Sequence, residues 1–271
     1  MKFGCCVGKP QLVSDNAAFA VPELTARLEW FKSIGCDFLE IPIDWLAALD
    51  EGTFTRLSAA IKKADIPIGA GNLFIPRTLP LVGPPRDLAT LKTYMKGALA
   101  RLHSLNCPYA VFGSGGARQF PADYPAENAW QELQEFCLAA AEEASRNNVT
   151  IALEPLCYKE CNVLNTVSAG YSFVDVIGHP NFQLLADSYH MEETSEPISV
   201  FKVTYPHLRH IHTADTGRFA PGSGQYPHAE LLRTLQEVGY NQGVSVECRW
   251  RNFDEEAPTA MQHLKKMYAA I

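Results

Sequence analysis

Four residues in the C-terminal half have the chemistry of a metal site. Glu154, Asp187, His212 and Glu247 each close a short apolar run, at steps of 33, 25 and 35 residues. Glu154 is followed by Pro155, which cannot extend the hydrogen-bond ladder inside a sheet. Three carboxylates and an imidazole brought within a few ångströms of one another would repel unless a cation sat among them. A carboxylate-rich set with one histidine suits Mn²⁺, Mg²⁺ or Co²⁺ better than a structural zinc. Such a cation would act as a Lewis acid on a carbonyl or hydroxyl oxygen. The alternative is four unrelated polar strand caps, which four successive units make hard to sustain.

Further polar groups sit just past the same run ends. His190 is three residues beyond Asp187, Glu160 six beyond Glu154 and Arg218 six beyond His212. Each could touch a ligand, and each could equally be an ordinary loop residue. Glu40 lies inside an apolar run, where a carboxylate needs a partner, and is a candidate for the rim of a site. Asn72 and the Gly113–Gly116 turn are weaker rim candidates. His210 shares a strand face with His212 one layer down, which suits a supporting role better than ligation.

The elements that must position these residues are an alternation. Eight short apolar runs recur at 2–7, 37–43, 66–74, 109–112, 149–153, 182–186, 208–211 and 244–246. Between and after them lie amphipathic stretches. Ser14, Asp15 and Asn16 offer caps for the first, and Pro22 can open a helix carrying Leu24, Leu28, Phe31 and Ile34, ended by Gly35. The others fall near 53–64, 87–105, 126–147, 166–177, 198–203, 228–238 and 255–270. Strands separated by helices imply crossovers and parallel pairing, and continuous apolar runs imply strands covered on both faces. The 271 residues suit a (β/α)₈ barrel, which typically needs about 250. A single TIM-barrel domain over 1–271 is therefore expected, ahead of an open doubly wound sheet. In a barrel the C-terminal strand ends converge on one rim, where active sites lie. No dinucleotide fingerprint is present, because Gly113-Ser114-Gly115-Gly116 lacks the later glycine at the needed spacing.

Composition narrows the partners. Lys and Arg number 23 against 30 Asp and Glu, a formal net charge of −7. An acidic surface with no basic run disfavours nucleic acid. No apolar run approaches a membrane span, and the N-terminus does not read as a secretory signal, so a cytoplasmic protein is expected. The eight cysteines read as reduced thiols, several inside apolar runs. Cys157 and Cys161 are spaced too widely for a CxxC zinc motif.

At these residues the sequence resembles the xylose-isomerase-like sugar isomerase and epimerase superfamily, and within it the D-tagatose and D-psicose 3-epimerase group. The similarity is carried by Glu154-Pro155-Leu156 with Glu160 and Leu164-Asn165-Thr166, by Asp187-Ser188-Tyr189-His190-Met191, by His212-Thr213-Ala214-Asp215 with Arg218, and by Val246-Glu247. Val111–Arg118 is similar to a segment common in the broad superfamily. The resemblance implies a (β/α)₈ barrel holding one divalent cation, Mn²⁺ first, with Mg²⁺, Co²⁺ or Zn²⁺ as alternatives. It implies Glu154, Asp187, His212 and Glu247 as metal ligands, with Glu154 and Glu247 also the acid and base. Glu160, His190 and Arg218 would hold sugar oxygens.

The implied activity is epimerisation or isomerisation of a small carbohydrate, a ketose or related hydroxyketone, with or without a phosphate, through an enediolate. A homo-oligomer is compatible with it. Dehydration of an inosose-type substrate is the runner-up. A non-catalytic sugar-binding barrel and a nuclease similar to endonuclease IV are more distant. The sequence departs from the ketose epimerases at Cys157-Tyr158-Lys159, at Ser223 and at the glycine turn 113–116. Those departures bear on the substrate more than on the metal chemistry. Arg118 and the glycine turn are the candidates for holding a phosphate.

Overall fold

A computed structural model describes residues 1–12 and 20–271. The caps expected at Ser14, Asp15 and Asn16 lie outside the described residues. Eight strands close into one parallel barrel in chain order: β1 (Lys2–Cys6), β2 (Phe38–Pro42), β3 (Ile68–Asn72), β4 (Tyr109–Phe112), β5 (Thr150–Leu153), β6 (Phe182–Asp187), β7 (Leu208–Thr213) and β8 (Gly243–Val246). The closing pair aligns Lys2 with Gly243 and Cys5 with Val246. The open doubly wound alternative is thereby excluded.

The strands read as apolar because helices cover their outer faces. In the helix Val21–Ser33, Leu24, Leu28 and Phe31 are buried, one stripe at helical spacing, and Gly35 follows at φ +98°. Several helix starts are fixed by side-chain caps. Asp50 accepts from the Thr53 amide, Asp87 from the Ala89 and Thr90 amides, and Thr166 from the Ala169 amide. The segment expected as one helix at 198–203 is a 3₁₀ turn, Ile198–Val200, running into a short helix, Phe201–Thr204. Short helices also follow the strand ends, among them Ile43–Ala48 after β2, Gly115–Arg118 after β4 and Ser188–Glu193 after β6.

The barrel interior is closed at its lower end by Phe38. Three strands make room for this ring by carrying glycine. A Cβ on Gly4, Gly69 or Gly243 would lie 2.2, 2.4 or 2.9 Å from Phe38 ring atoms. His210 packs edge-on above Phe38, at 5.9 Å between centroids. Above this floor a small apolar cluster of Ala70, Val111, Ala152 and Leu185 faces buried polar groups, Glu40, His210, His212 and Ser245, and the site lies over them.

Candidate metal centre

Each of the four polar strand ends reaches the same point. One ligating atom from each of Glu154, Asp187, His212 and Glu247 lies within 4.8 Å of all the others. His212 stands at the centre. Its Nδ1 is 3.1 Å from Glu154 Oε1 and 3.4 Å from Glu247 Oε2, and its Nε2 is 2.9 Å from Glu40 Oε1. Asp187 divides its two oxygens. Oδ1 accepts from the Tyr189 amide at 3.0 Å and so caps the helix Ser188–Glu193. Oδ2 is buried and has no hydrogen-bond partner. A buried anionic oxygen without a donor is costly, and here it faces the other three groups. That orphaned oxygen, with two further carboxylates and one imidazole nitrogen, would suit a divalent cation that prefers oxygen but accepts nitrogen.

The electrostatics follow from the crowding of these groups. Burial pushes the Asp187 carboxyl up to about 6, with Glu247 and Glu154 adding to the rise against His190 and Arg218. Burial would raise Glu247 too, but the charge and hydrogen bond of His212, together with Arg218, bring it down to about 2. Burial would lower His212, yet Glu40, then Cys6, Glu247 and Glu154 hold its imidazole well above the usual range.

The loops supply a second layer of polar contacts. Arg218 donates to Glu160 Oε1 at 2.8 Å and to Glu247 Oε2 at 2.7 Å, with its guanidinium 4.7 Å from the centre of the Tyr189 ring. It is held there by an unusual backbone, φ +65°, inside a loop gathered by Asp215. That carboxylate accepts from the amides of Thr216, Gly222 and Tyr226 at 2.9, 2.9 and 2.8 Å. His190 accepts the Cys157 amide on Nδ1 at 3.2 Å. In a neutral ring the proton then sits on Nε2, which has no partner and faces Asp187 Oδ2 at 3.6 Å. Cys157 thus groups with Glu160 and His190 rather than with Cys161, and all eight cysteines are unpaired.

A cavity of about 580 Å³ opens over the cluster, walled by Glu154, Glu160, Arg218 and Glu247 on one side and by Leu73, Arg77 and Gly113–Ala117 on the other. Two rim expectations are corrected here. Glu40 does not reach the cavity. It is fully buried beneath His212, where the barrel's interior layers place a residue two positions before the end of β2. Asn72 is buried too and is not part of the wall. Arg118 is likewise turned away, fully buried with Nη1 bonded to the Phe112 carbonyl at 3.1 Å, and cannot receive a phosphate in the cavity. His210 supports from below as expected, at 2.9 Å from Glu40 Oε2. Leu73, Arg77 and Asp44 also line the cavity without any sequence signal to mark them, because Leu73 and Arg77 stand on a loop with no periodicity and Asp44 on a helix of only six residues. A cleft of about 620 Å³ at the opposite end, beside Pro67 and Asn106, faces the N-terminal strand ends, where barrels do not build active sites.

The fold and the site define a TIM barrel with an acid- and histidine-lined candidate metal centre at its C-terminal rim. The chain belongs to the xylose isomerase-like TIM barrel family, whose sequence profile matches residues 28–267. It is 27% identical over 228 residues to the D-psicose 3-epimerase of Ruminiclostridium cellulolyticum, covering 81% of this chain and 76% of that one. Among solved structures it superimposes on a D-psicose 3-epimerase from Clostridium cellulolyticum crystallised with D-tagatose, with a TM-score of 0.82, 23% identity and 99% of both chains covered. It also superimposes on a 3-keto-D-glucoside 4-epimerase from E. coli, with a TM-score of 0.82, 19% identity, and 98% of this chain and 99% of that one covered. No helix among the described residues is long and apolar enough to cross a membrane.

Proposed function

We propose that this protein is a divalent-metal-dependent epimerase or isomerase of a small carbohydrate, with Mn²⁺ as the first candidate cation. The observation that carries this reading is the meeting of Glu154, Asp187, His212 and Glu247 around an Asp187 oxygen that has no hydrogen-bond partner. The naming of its relatives as sugar epimerases supports it. These four residues would hold the cation. When bound, it would polarise a hydroxyketone carbonyl and make the neighbouring C–H acidic.

The remaining work belongs to the side chains. Glu154 and Glu247 come from β5 and β8, well apart around the ring, and approach His212 from those separate strands. One glutamate takes the proton from one face of the carbon, and the other returns a proton to the opposite face, which inverts the centre. Return to the adjacent carbon would give isomerisation instead. His190 Nε2–H, Glu160 and Arg218 present donors and acceptors for the substrate's oxygens. Arg218 also keeps Glu247 ionised and so ready to accept a proton.

The wall at Leu73, Arg77 and Gly113–Gly116 would receive the non-reacting end of the substrate. The names of a similar structure and a similar sequence, a 3-keto-D-glucoside 4-epimerase and an inosose isomerase, keep keto-glycosides and inososes beside ketoses as substrates to test. The decisive experiment is exchange of substrate C–H for deuterium with added Mn²⁺ across a panel of ketoses, ketose phosphates, keto-glycosides and inososes. Exchange that requires metal and disappears in Glu247→Gln is the expected result. No exchange with any of them, or undiminished exchange in Glu247→Gln, overturns the reading.

A further inference from the structure

Glu40 is a carboxylate on an inward position of β2, with no exposed surface. It is nonetheless fully satisfied. Oε1 accepts from His212 Nε2 at 2.9 Å. Oε2 accepts from His210 Nε2 at 2.9 Å and from the Ser245 hydroxyl at 2.8 Å. The partners come from β7 and β8, so the carboxylate ties three strands of the ring together inside the barrel. Burial would push Glu40 up, but the charges and hydrogen bonds of His212 and His210 outweigh it and hold the group well below the usual carboxylate range. The remaining neighbour is Cys6, whose Sγ lies 4.0 Å from His212 Nε2.

The consequence falls on His212. An imidazole offers a cation only the nitrogen that carries no proton, and the hydrogen bond of the other nitrogen decides which one that is. Nε2 is pinned to an anion from below, so its proton stays there. Nδ1 is left to face Glu154 and Glu247. We propose that Glu40 is the positioning residue of the candidate metal centre: it fixes both the ring orientation of His212 and the tautomer that presents Nδ1 upward. This rests on the metal reading above. Ligand histidines commonly lean on a carboxylate in this way, and loss of such a support typically weakens metal affinity by about 10–100-fold.

Glu40→Gln is close to isosteric but has one acceptor oxygen and one NH₂ group. It cannot accept from both histidines, so either His210 is abandoned or His212 turns or changes tautomer. Mn²⁺ titration of the purified protein, followed by electron paramagnetic resonance, should show a dissociation constant raised by about 10–100-fold. In the Mg²⁺-loaded protein the imidazole ¹⁵N signals of His212, assigned with His212→Asn, should show Nε2 protonated in the parent and a mixed or inverted pattern in the variant. Ser245→Ala removes one donor yet leaves the His212 bond, and should bind Mn²⁺ as the parent does. Where Glu40→Gln does not give folded protein, Glu40→Asp lengthens the same bond and should weaken Mn²⁺ binding in the same direction. Variants that bind Mn²⁺ like the parent, with an unchanged ¹⁵N pattern, overturn this inference alone. A parent that binds no divalent cation overturns the metal reading and the inference together.

Discussion

Gly113 stands directly against Glu154: a Cβ added to Gly113 would lie 2.3 Å from Oε2 of Glu154. The glycine at the end of β4 therefore makes room for the carboxylate at the end of β5. The contact is with the far end of a flexible side chain, so Gly113→Ala should cost little stability. The carboxylate would swing aside, away from its place 3.1 Å from His212 Nδ1. Gly113→Ala is expected to keep its thermal midpoint while losing Mn²⁺ affinity by about tenfold or more. Calorimetric titration beside a thermal melt checks it, and unchanged affinity would show that Glu154 does not need this space.

Arg218 joins two carboxylates with different proposed duties, Glu160 on the substrate side and Glu247 as acid or base. Removing the guanidinium leaves Glu247 with His212 as its remaining charge partner and the substrate without a donor. Arg218→Ala should lower kcat/KM by about 100-fold or more, the scale of losing one donor aimed at developing charge. Arg218→Lys should recover only part of this, since a single ammonium cannot reproduce a planar fork bonded to two partners. Steady-state kinetics on the substrate found by exchange decides the matter; full recovery in the lysine variant would reduce the residue to a point charge.

The barrel and the four strand-end residues could be read in the sequence for one physical reason. A buried parallel strand is apolar along its length, so a terminal carboxylate or imidazole stands out, and one helix of spacing repeats the signal at Glu154, Asp187, His212 and Glu247. Glu40 stood out too, but its height in the barrel did not. Whether an inward residue lies at the rim or one layer below depends on the stagger between strands, such as the register shift between Leu39 and Glu40, and a single strand carries no trace of that. Part of the cavity wall was hidden for a different reason: Leu73 and Arg77 follow β3 outside any periodic element, and Leu73 takes a left-handed backbone, φ +50°, that a leucine does not announce.

The floor of the barrel makes a prediction about stability alone. Phe38 is enclosed by Gly4, Gly69 and Gly243, and a methyl group on Gly69 would sit 2.4 Å from the ring. The ring is buried and packs against His210 on its other side. Gly69→Ala should destabilise the fold by about 1–3 kcal/mol, the usual range for overpacking a filled core. Chemical denaturation should show this as an earlier midpoint, with Mn²⁺ affinity per folded molecule little changed. An unshifted midpoint would mean that the floor is looser than the distances indicate.

The last prediction concerns pH and follows from Asp187. Its carboxyl is raised from the ordinary 3.8 to about 6, chiefly by burial. In metal-free protein the folded state therefore binds a proton that the unfolded chain has already released between those values. The contribution to stability is fully present below the ordinary value and is lost as pH rises through about 6. A cation demands the ionised carboxylate, so the sign reverses for binding. Below about 6 the proton on Asp187 must be displaced, and apparent affinity should fall about tenfold for each pH unit per proton released. His212 contributes a second proton over a wider range, because its imidazole is held well above the usual range and Nδ1 must be bare to ligate. The logarithm of Mn²⁺ affinity should thus rise with pH at a slope of about one near neutrality, steepening to about two on the acid side. Asp187→Asn should remove the steep acid limb as well as most of the affinity. Metal titrations between pH 5 and 8, paired with melts in chelator, measure both signs on one protein; an affinity flat across that interval would show that neither group yields a proton to the cation.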